Sequence, residues 1–121
     1  MATQGGIIRV YNFTRGSYLG EQVEVADTSL KRMIGLLGRR SLEPGSGLLI
    51  FPSQAIHTVG MSFPIDVVFL DRSNHVISLR ENVRPFRLTS VVWRAVGVVE
   101  LPSGTIRETR TAVGDQLNLE F

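Results

Sequence analysis

The sequence predicts a mainly β domain: a small β-sandwich or partly open barrel of about seven short strands, with one short helix near residues 28–38. Two observations carry that expectation. Runs of β-branched and aromatic residues recur along the chain and are separated by Gly, Pro, Asn and Asp, the pattern of strands joined by turns. Apolar residues at helical spacing stand out in one stretch, where Leu30, Ile34 and Leu37 fall on one face. Many short strands with few helices bury their faces by packing sheet on sheet or by curling one sheet on itself.

The opening reads as a hairpin. "GIIRVYNF" (6–13) and "YLGEQVEVA" (18–26) are strand-like and "TRGS" turns between them. Val23 and Val25 alternate with Gln22, Glu24 and Ala26, which gives one buried and one wet face. Asp27 is placed to cap the helix that follows. Gly35 and Gly38 are poor helix formers, so that helix is expected to be short and held by packing. "SLEPGSGLLIFP" is a Pro/Gly loop feeding a buried strand at 48–51. Residues 65–79 are expected to form an antiparallel hairpin turning at Arg72-Ser73-Asn74. "RENVRPFRLTS" is a basic connector broken by Pro85, and "AVGVVELP" is a strand stopped by Pro102. Thr105 to Glu108 fits a T-x-x-E capping box and predicts a single helical turn. In "AVGDQLNLEF", Leu117 and Leu119 alternate with polar residues as in a closing strand.

A chain of 121 residues is one domain by length. Its 43% hydrophobic and 20% charged residues are ordinary for a globular domain. The absence of cysteine removes disulfides, thiolate nucleophiles and cysteine–zinc sites. No apolar run approaches the roughly 18 residues of a membrane helix. "MATQGGIIRV" lacks the basic start and apolar region of a signal peptide. The expectation is a soluble, cytoplasmic domain without membrane insertion.

Catalytic and ligand patterns are sparse. His57 and His75 are the only histidines, and "PGSGL" has Pro44 where a nucleophile elbow needs glycine. There is no H-E-x-x-H, and neither phosphate-binding glycine loop occurs. No metal and no cofactor are expected. Twelve of the thirteen basic residues are arginine, a bias that suits carboxylate or phosphate binding but also follows from biased base composition. Arg72, Arg80, Arg84, Arg87 and Arg94 stand against Glu81 alone, with Phe86 and Trp93 between them. Such a stripe can track a single nucleic-acid strand. The net charge of +2 instead favours a solvated loop whose arginine stems cover apolar surface, so nucleic acid is not an expected partner.

"AIHTVGMSFPIDVVFL" (55–70) holds the candidate site. Asp66 shares a strand face with Val68 and Leu70, while Ile65, Val67 and Phe69 make the other face apolar too. An internal strand is implied, with Asp66 buried and therefore in need of donors. Candidate donors are His57, Thr58, Arg32 and the N–H groups near Gly60. The candidate binding cluster is His57, Thr58, Met61, Asp66 and Arg32, read either as a staple of this corner or as a ligand-facing group. Met61 also suits a core filler.

The motifs "NFTRG", "VADTSLKRMIGLLGR", "GSGLLIFP", "AIHTVGMSFPIDVVFLD", "VVELPSGT" and "VGDQLNLEF", in that order, resemble the family of domain of unknown function 192. The resemblance covers nearly the whole chain. It implies a compact, mainly β domain with a short helix after its second strand, and no established activity. It also implies partners in pilus or secretion machinery, and it marks Val59 as a departure where the family often has an aromatic residue. The function expected is a non-catalytic binding module for a peptide, protein or small molecule. The alternative is a hydrolytic or metal-assisted enzyme using His57 and Asp66.

Overall fold

The computed structural model describes residues 6–26, 42–58 and 61–121. The helix expected near 28–38, its Asp27 cap, Arg32, Val59 and Gly60 lie outside the described residues.

Among the described residues seven strands form one sheet: β1 (Ile7–Asn12), β2 (Ser17–Ala26), β3 (Ser46–Ile50), β4 (Ile65–Leu70), β5 (Val76–Val83), β6 (Gly97–Pro102) and β7 (Leu117–Glu120), with a one-turn helix α1 (Thr105–Thr109) between the last two. The strand order is β5-β4-β6-β3-β2-β1-β7. All neighbours are antiparallel except β2 and β3. Of the two architectures expected, the sheet takes the partly open barrel. Twist accumulates across the strands, and bulges between Ile65 and Val67 and between Phe69 and Leu70 add bend. The outer strands meet at one end only: His75 bridges Gln116, Val76 N–H donates to Asp115 O at 2.9 Å, and Leu117 N–H donates to Asn74 O at 2.9 Å. The result is a curled half-barrel.

Two apolar clusters lie on the two faces of the sheet. The concave interior holds Val10, Val23, Leu49, Val68, Leu70, Val99, Leu101 and Leu117 with Ile106 of α1. The outer face holds Leu48, Ile50, Ile65, Val67, Phe69 and Val98, covered by Leu42, Ile56, Met61 and Ala95. β4 lies between β5 and β6 and all six of its residues are buried, as its two apolar faces predicted. The β4–β5 hairpin forms in the expected place, with Val68 opposite Leu79. Its turn is tied by Asp71, whose Oδ1 accepts the N–H groups of Ser73 and His75 at 2.9 Å each, and Asn74 takes φ 64. Asx turns and left-handed backbone both suit this chemistry.

α1 starts where the T-x-x-E pattern placed it, but not by that pattern's mechanism. The N-cap is Gly104 at φ 98, with no side-chain cap of its own, and Thr105 Oγ1 donates to Pro102 O at 2.8 Å. The missing acceptor comes from Asp66 on β4.

Candidate functional site

Asp66 lies on the interior face beside Val68 and is completely buried. Its Oδ2 accepts the N–H groups of Gly104 at 3.1 Å and Ile106 at 2.9 Å, and its Oδ1 accepts that of Asn82 at 2.9 Å. A carboxylate from another strand thus serves as the N-terminal cap of α1, where free N–H groups favour negative charge. The same side chain fixes the bulged end of β5: Asn82 sits at φ 53 and its Oδ1 accepts from Ser103 Oγ at 2.9 Å. The donors expected for Asp66 were the side chains of His57, Thr58 and Arg32 or N–H groups near Gly60. Arg32 and Gly60 lie outside the described residues; among the described residues the donors are three main-chain groups from the β5 and α1 ends, more than a dozen residues away along the chain.

Thr58 is also completely buried but does a separate job. Its N–H donates to Arg87 O at 2.8 Å, and its carbonyl accepts from Phe86 and Met61 N–H at 3.1 Å each. Its hydroxyl accepts from Arg87 N–H at 2.8 Å and donates to Arg84 O at 2.6 Å. One threonine therefore pins the 84–87 turn, in which Phe86 adopts φ 62, an unusual conformation for a bulky residue. Met61 packs in the outer cluster with Ile65 and Val67. His57 is exposed and bridges Leu88 through its backbone. The structure thus places Thr58 beside Met61, and places Asp66 on the opposite face of the sheet from Met61.

The arginine-rich connector presents its aromatic residues outward: Phe86 is 69% and Trp93 79% exposed. Arg80 differs from its neighbours, lying over the Phe69 ring with its guanidinium carbon 5.7 Å from the ring centre.

Three features escaped the sequence reading. The first is a polar knot under the β1–β2 turn. Asp115 Oδ2 accepts from Asn12 Nδ2 at 3.0 Å, Arg15 Nε at 3.0 Å and Ala112 N–H at 2.9 Å. Asn12 Oδ1 takes Arg15 N–H at 3.0 Å. Burial alone would raise the Asp115 carboxyl. The bonds from Arg15, Asn12 and Ala112, with the Arg15 charge, outweigh it and hold the group below the usual carboxylate range. The signal was present in the Asn of "NFTRG" and the Asp of "VGDQLNLEF", but nothing in the sequence shows that residues 103 positions apart touch. Because the folded group titrates below the unfolded one, its contribution is present above roughly pH 4 and is lost as pH falls through the folded value. We expect Asp115→Asn to cost about 2 kcal/mol at pH 7, with the gap to wild type narrowing below pH 4 in urea unfolding curves.

The second is Glu100, on β6 and on the outer face, 4% exposed and flanked across the sheet by Leu48 and Val67. Among the described residues no donor reaches its carboxyl, and burial pushes it up to about 8.

The third is an apolar cavity of about 340 Å³ at the end of the half-barrel, walled by Leu49, Phe51, Leu70, Val96, Leu119 and Phe121 and floored by Gly97. In the sequence each wall residue fits a strand or loop position. A concavity between four strand ends is not visible in a linear pattern.

Comparison with known proteins agrees with this architecture. A UPF0127 protein of Thermococcus sibiricus is 33% identical over 117 residues, covering 90% of this chain and 73% of that one. A UPF0127 protein of Pyrococcus furiosus is 31% identical over 113 residues, covering 88% and 93%. Among solved structures, a Sinorhizobium meliloti protein described as a candidate transcription regulator has TM-score 0.83 at 22% identity, with 98% of each chain covered. A protein of unknown function from Novosphingobium aromaticivorans has TM-score 0.80 at 20% identity, covering 93% of this chain and 83% of that one. At those identities the two structures speak for the fold alone. Residues 11–119 match the family described as "Uncharacterized ACR", domain of unknown function 192, and the chain belongs to it.

Proposed function

We propose that the domain is a binding module and that its ligand enters the apolar cavity at the end of the half-barrel. The observation that carries this reading is the cavity itself. Leu49 and Leu70 belong to the interior core, yet beyond them the sheet leaves about 340 Å³ bordered by carbon and unfilled by the described residues. Small-molecule sites are concavities of this kind, mostly apolar and in the range of about 300–1,000 Å³, and the mouths of barrels are among their usual places. Asn74, at the turn, is the polar residue on the rim. The alternative of an enzyme built on His57 and Asp66 gains no support from the geometry, since Asp66 is closed to solvent and its bonds run to main-chain N–H groups.

A filling variant tests the reading. A Cβ placed at Gly97 meets only ordinary contacts, the nearest being Ile50 O at 3.6 Å, so a longer side chain there projects into the cavity. With 1-decanol as probe, we expect saturable binding by wild type and a loss of at least about tenfold in Gly97→Leu, with the melting temperature kept or raised, since filling a void restores packing. Equal binding by both proteins, or none by wild type, would remove the cavity as the site.

A further inference from the structure

The apolar cavity does not stand alone. β4 leaves the sheet at Leu70 and continues through Asp71 to Arg72, while the chain enters β6 through Trp93, Arg94, Ala95 and Val96. The two segments are tied where they pass, Val96 N–H donating to Leu70 O at 2.8 Å. Leu70 and Val96 wall the apolar cavity, and the same Val96 walls a second pocket of about 430 Å³ lined by Gln54, Asp71, Arg72, Trp93 and Arg94. Two residues beyond a shared rim, the lining therefore changes from hydrocarbon to guanidinium.

The charges in the second pocket favour an anion. Asp71 is its one carboxylate, and both N–H bonds to its Oδ1 come from its own turn. Burial would raise it, but the N–H bonds of His75 and Ser73 and the charges of His75 and Arg94 hold it below the usual range. Asp71 is thus engaged within its own turn, its Oδ2 lying 3.7 Å from His75 Nδ1. Arg72 and Arg94 are exposed, and neither guanidinium has a hydrogen bond or ion pair among the described residues. The segment that carries Arg94 is fixed in place: Gln54 Nε2 donates to Trp93 O at 2.7 Å and Val92 N–H to Gln54 O at 2.8 Å.

Resting on the cavity reading above, we infer that the ligand is an anionic amphiphile, a chain of carbons in the half-barrel mouth with a carboxylate head held between Arg72 and Arg94. Guanidinium forks match a carboxylate in two parallel bonds. A cavity of about 340 Å³ takes roughly ten carbon-sized groups if each needs about the 30 Å³ share of a liquid water. Medium-chain carboxylates fit both halves.

The test titrates wild type, Gly97→Leu and the double variant Arg72→Gln/Arg94→Gln with decanoate below its micellar concentration and, separately, with 1-decanol. Trp93, the single tryptophan, lines the head pocket and reports binding by its fluorescence. We expect wild type to bind decanoate roughly tenfold more tightly than decanol, the double variant to bind both equally, and Gly97→Leu to lose both. Equal affinities in wild type would overturn the carboxylate assignment and leave the cavity reading in place. A decanoate preference that survives in the double variant would equally overturn it. Binding of neither compound would sink both readings. Binding to phosphatidylglycerol vesicles without binding of monomeric decanoate would make this patch a membrane-facing surface and refute the assignment.

Discussion

Asp66→Ala should lower stability by about 3–5 kcal/mol, since each buried N–H left without its acceptor costs about 1–3 kcal/mol. Three main-chain N–H groups, at Asn82, Gly104 and Ile106, lose their acceptor together. Asn82 is exposed and Gly104 half-buried, but water cannot reach the Ile106 N–H without opening the interior, because Ile106 is packed among Val68, Leu101 and the β2 valines. For a chain of 121 residues the expected fall in melting temperature is roughly 10–20 °C. Asp66→Asn keeps the shape but turns one acceptor into a donor that faces other donors, so it should cost less, about 1.5–3 kcal/mol. Loss of amide protection should appear first in α1 and at the end of β5, the segments the carboxylate ties. A melting temperature unmoved by Asp66→Ala would defeat the staple and return Asp66 to the list of ligand-facing residues.

The legible part of this corner was its burial. Alternation along β4 put Asp66 with Val68 and Leu70, and apolar residues on both faces made the strand internal; both hold. Its partners were not legible, because a backbone N–H leaves no trace in residue identity. Side chains nearby in sequence were the natural candidates, and the actual donors come from 16, 38 and 40 positions away. The T-x-x-E pattern had a similar fate. It marked the helix start correctly, while the cap came from another strand through a glycine at φ 98. Hairpins were read well because turn and strands are contiguous, as at Asp71–His75. The β2–β3 parallel pair, the closure of β5 onto β7 and the cavity all depend on segments distant along the chain. Strand periodicity says which face a residue takes. It does not say which strand lies beside it.

The largest stabilising effect is expected at Glu100. Across the outer face the register sets Glu24, Leu48, Glu100, Val67 and Arg80 in one row. Arg80 is two strands from Glu100, about 10 Å at the usual strand spacing. Its guanidinium is engaged with Ser78 Oγ and Leu79 O and lies against Phe69. Glu100 therefore faces Leu48 and Val67, with no cation among the described residues, and burial raises its carboxyl from 4.5 to about 8. The sign follows from linkage. A folded carboxyl that holds its proton more tightly than the unfolded one costs nothing below the unfolded value, and stability falls as pH rises from there toward 8. At 1.36 kcal/mol per pH unit the loss at pH 7 is about 3 kcal/mol. Glutamine has the size of the neutral acid and never ionises. Glu100→Gln should thus melt roughly 10 °C above wild type at pH 7, and the two should converge as pH falls below 4.5, where the acid becomes neutral in both states. Melting curves of both proteins between pH 4 and 9 measure this directly. A pH-independent difference, or a variant less stable at pH 7, would mean that a donor or cation holds Glu100 as a carboxylate, and the buried neutral acid would have to be abandoned.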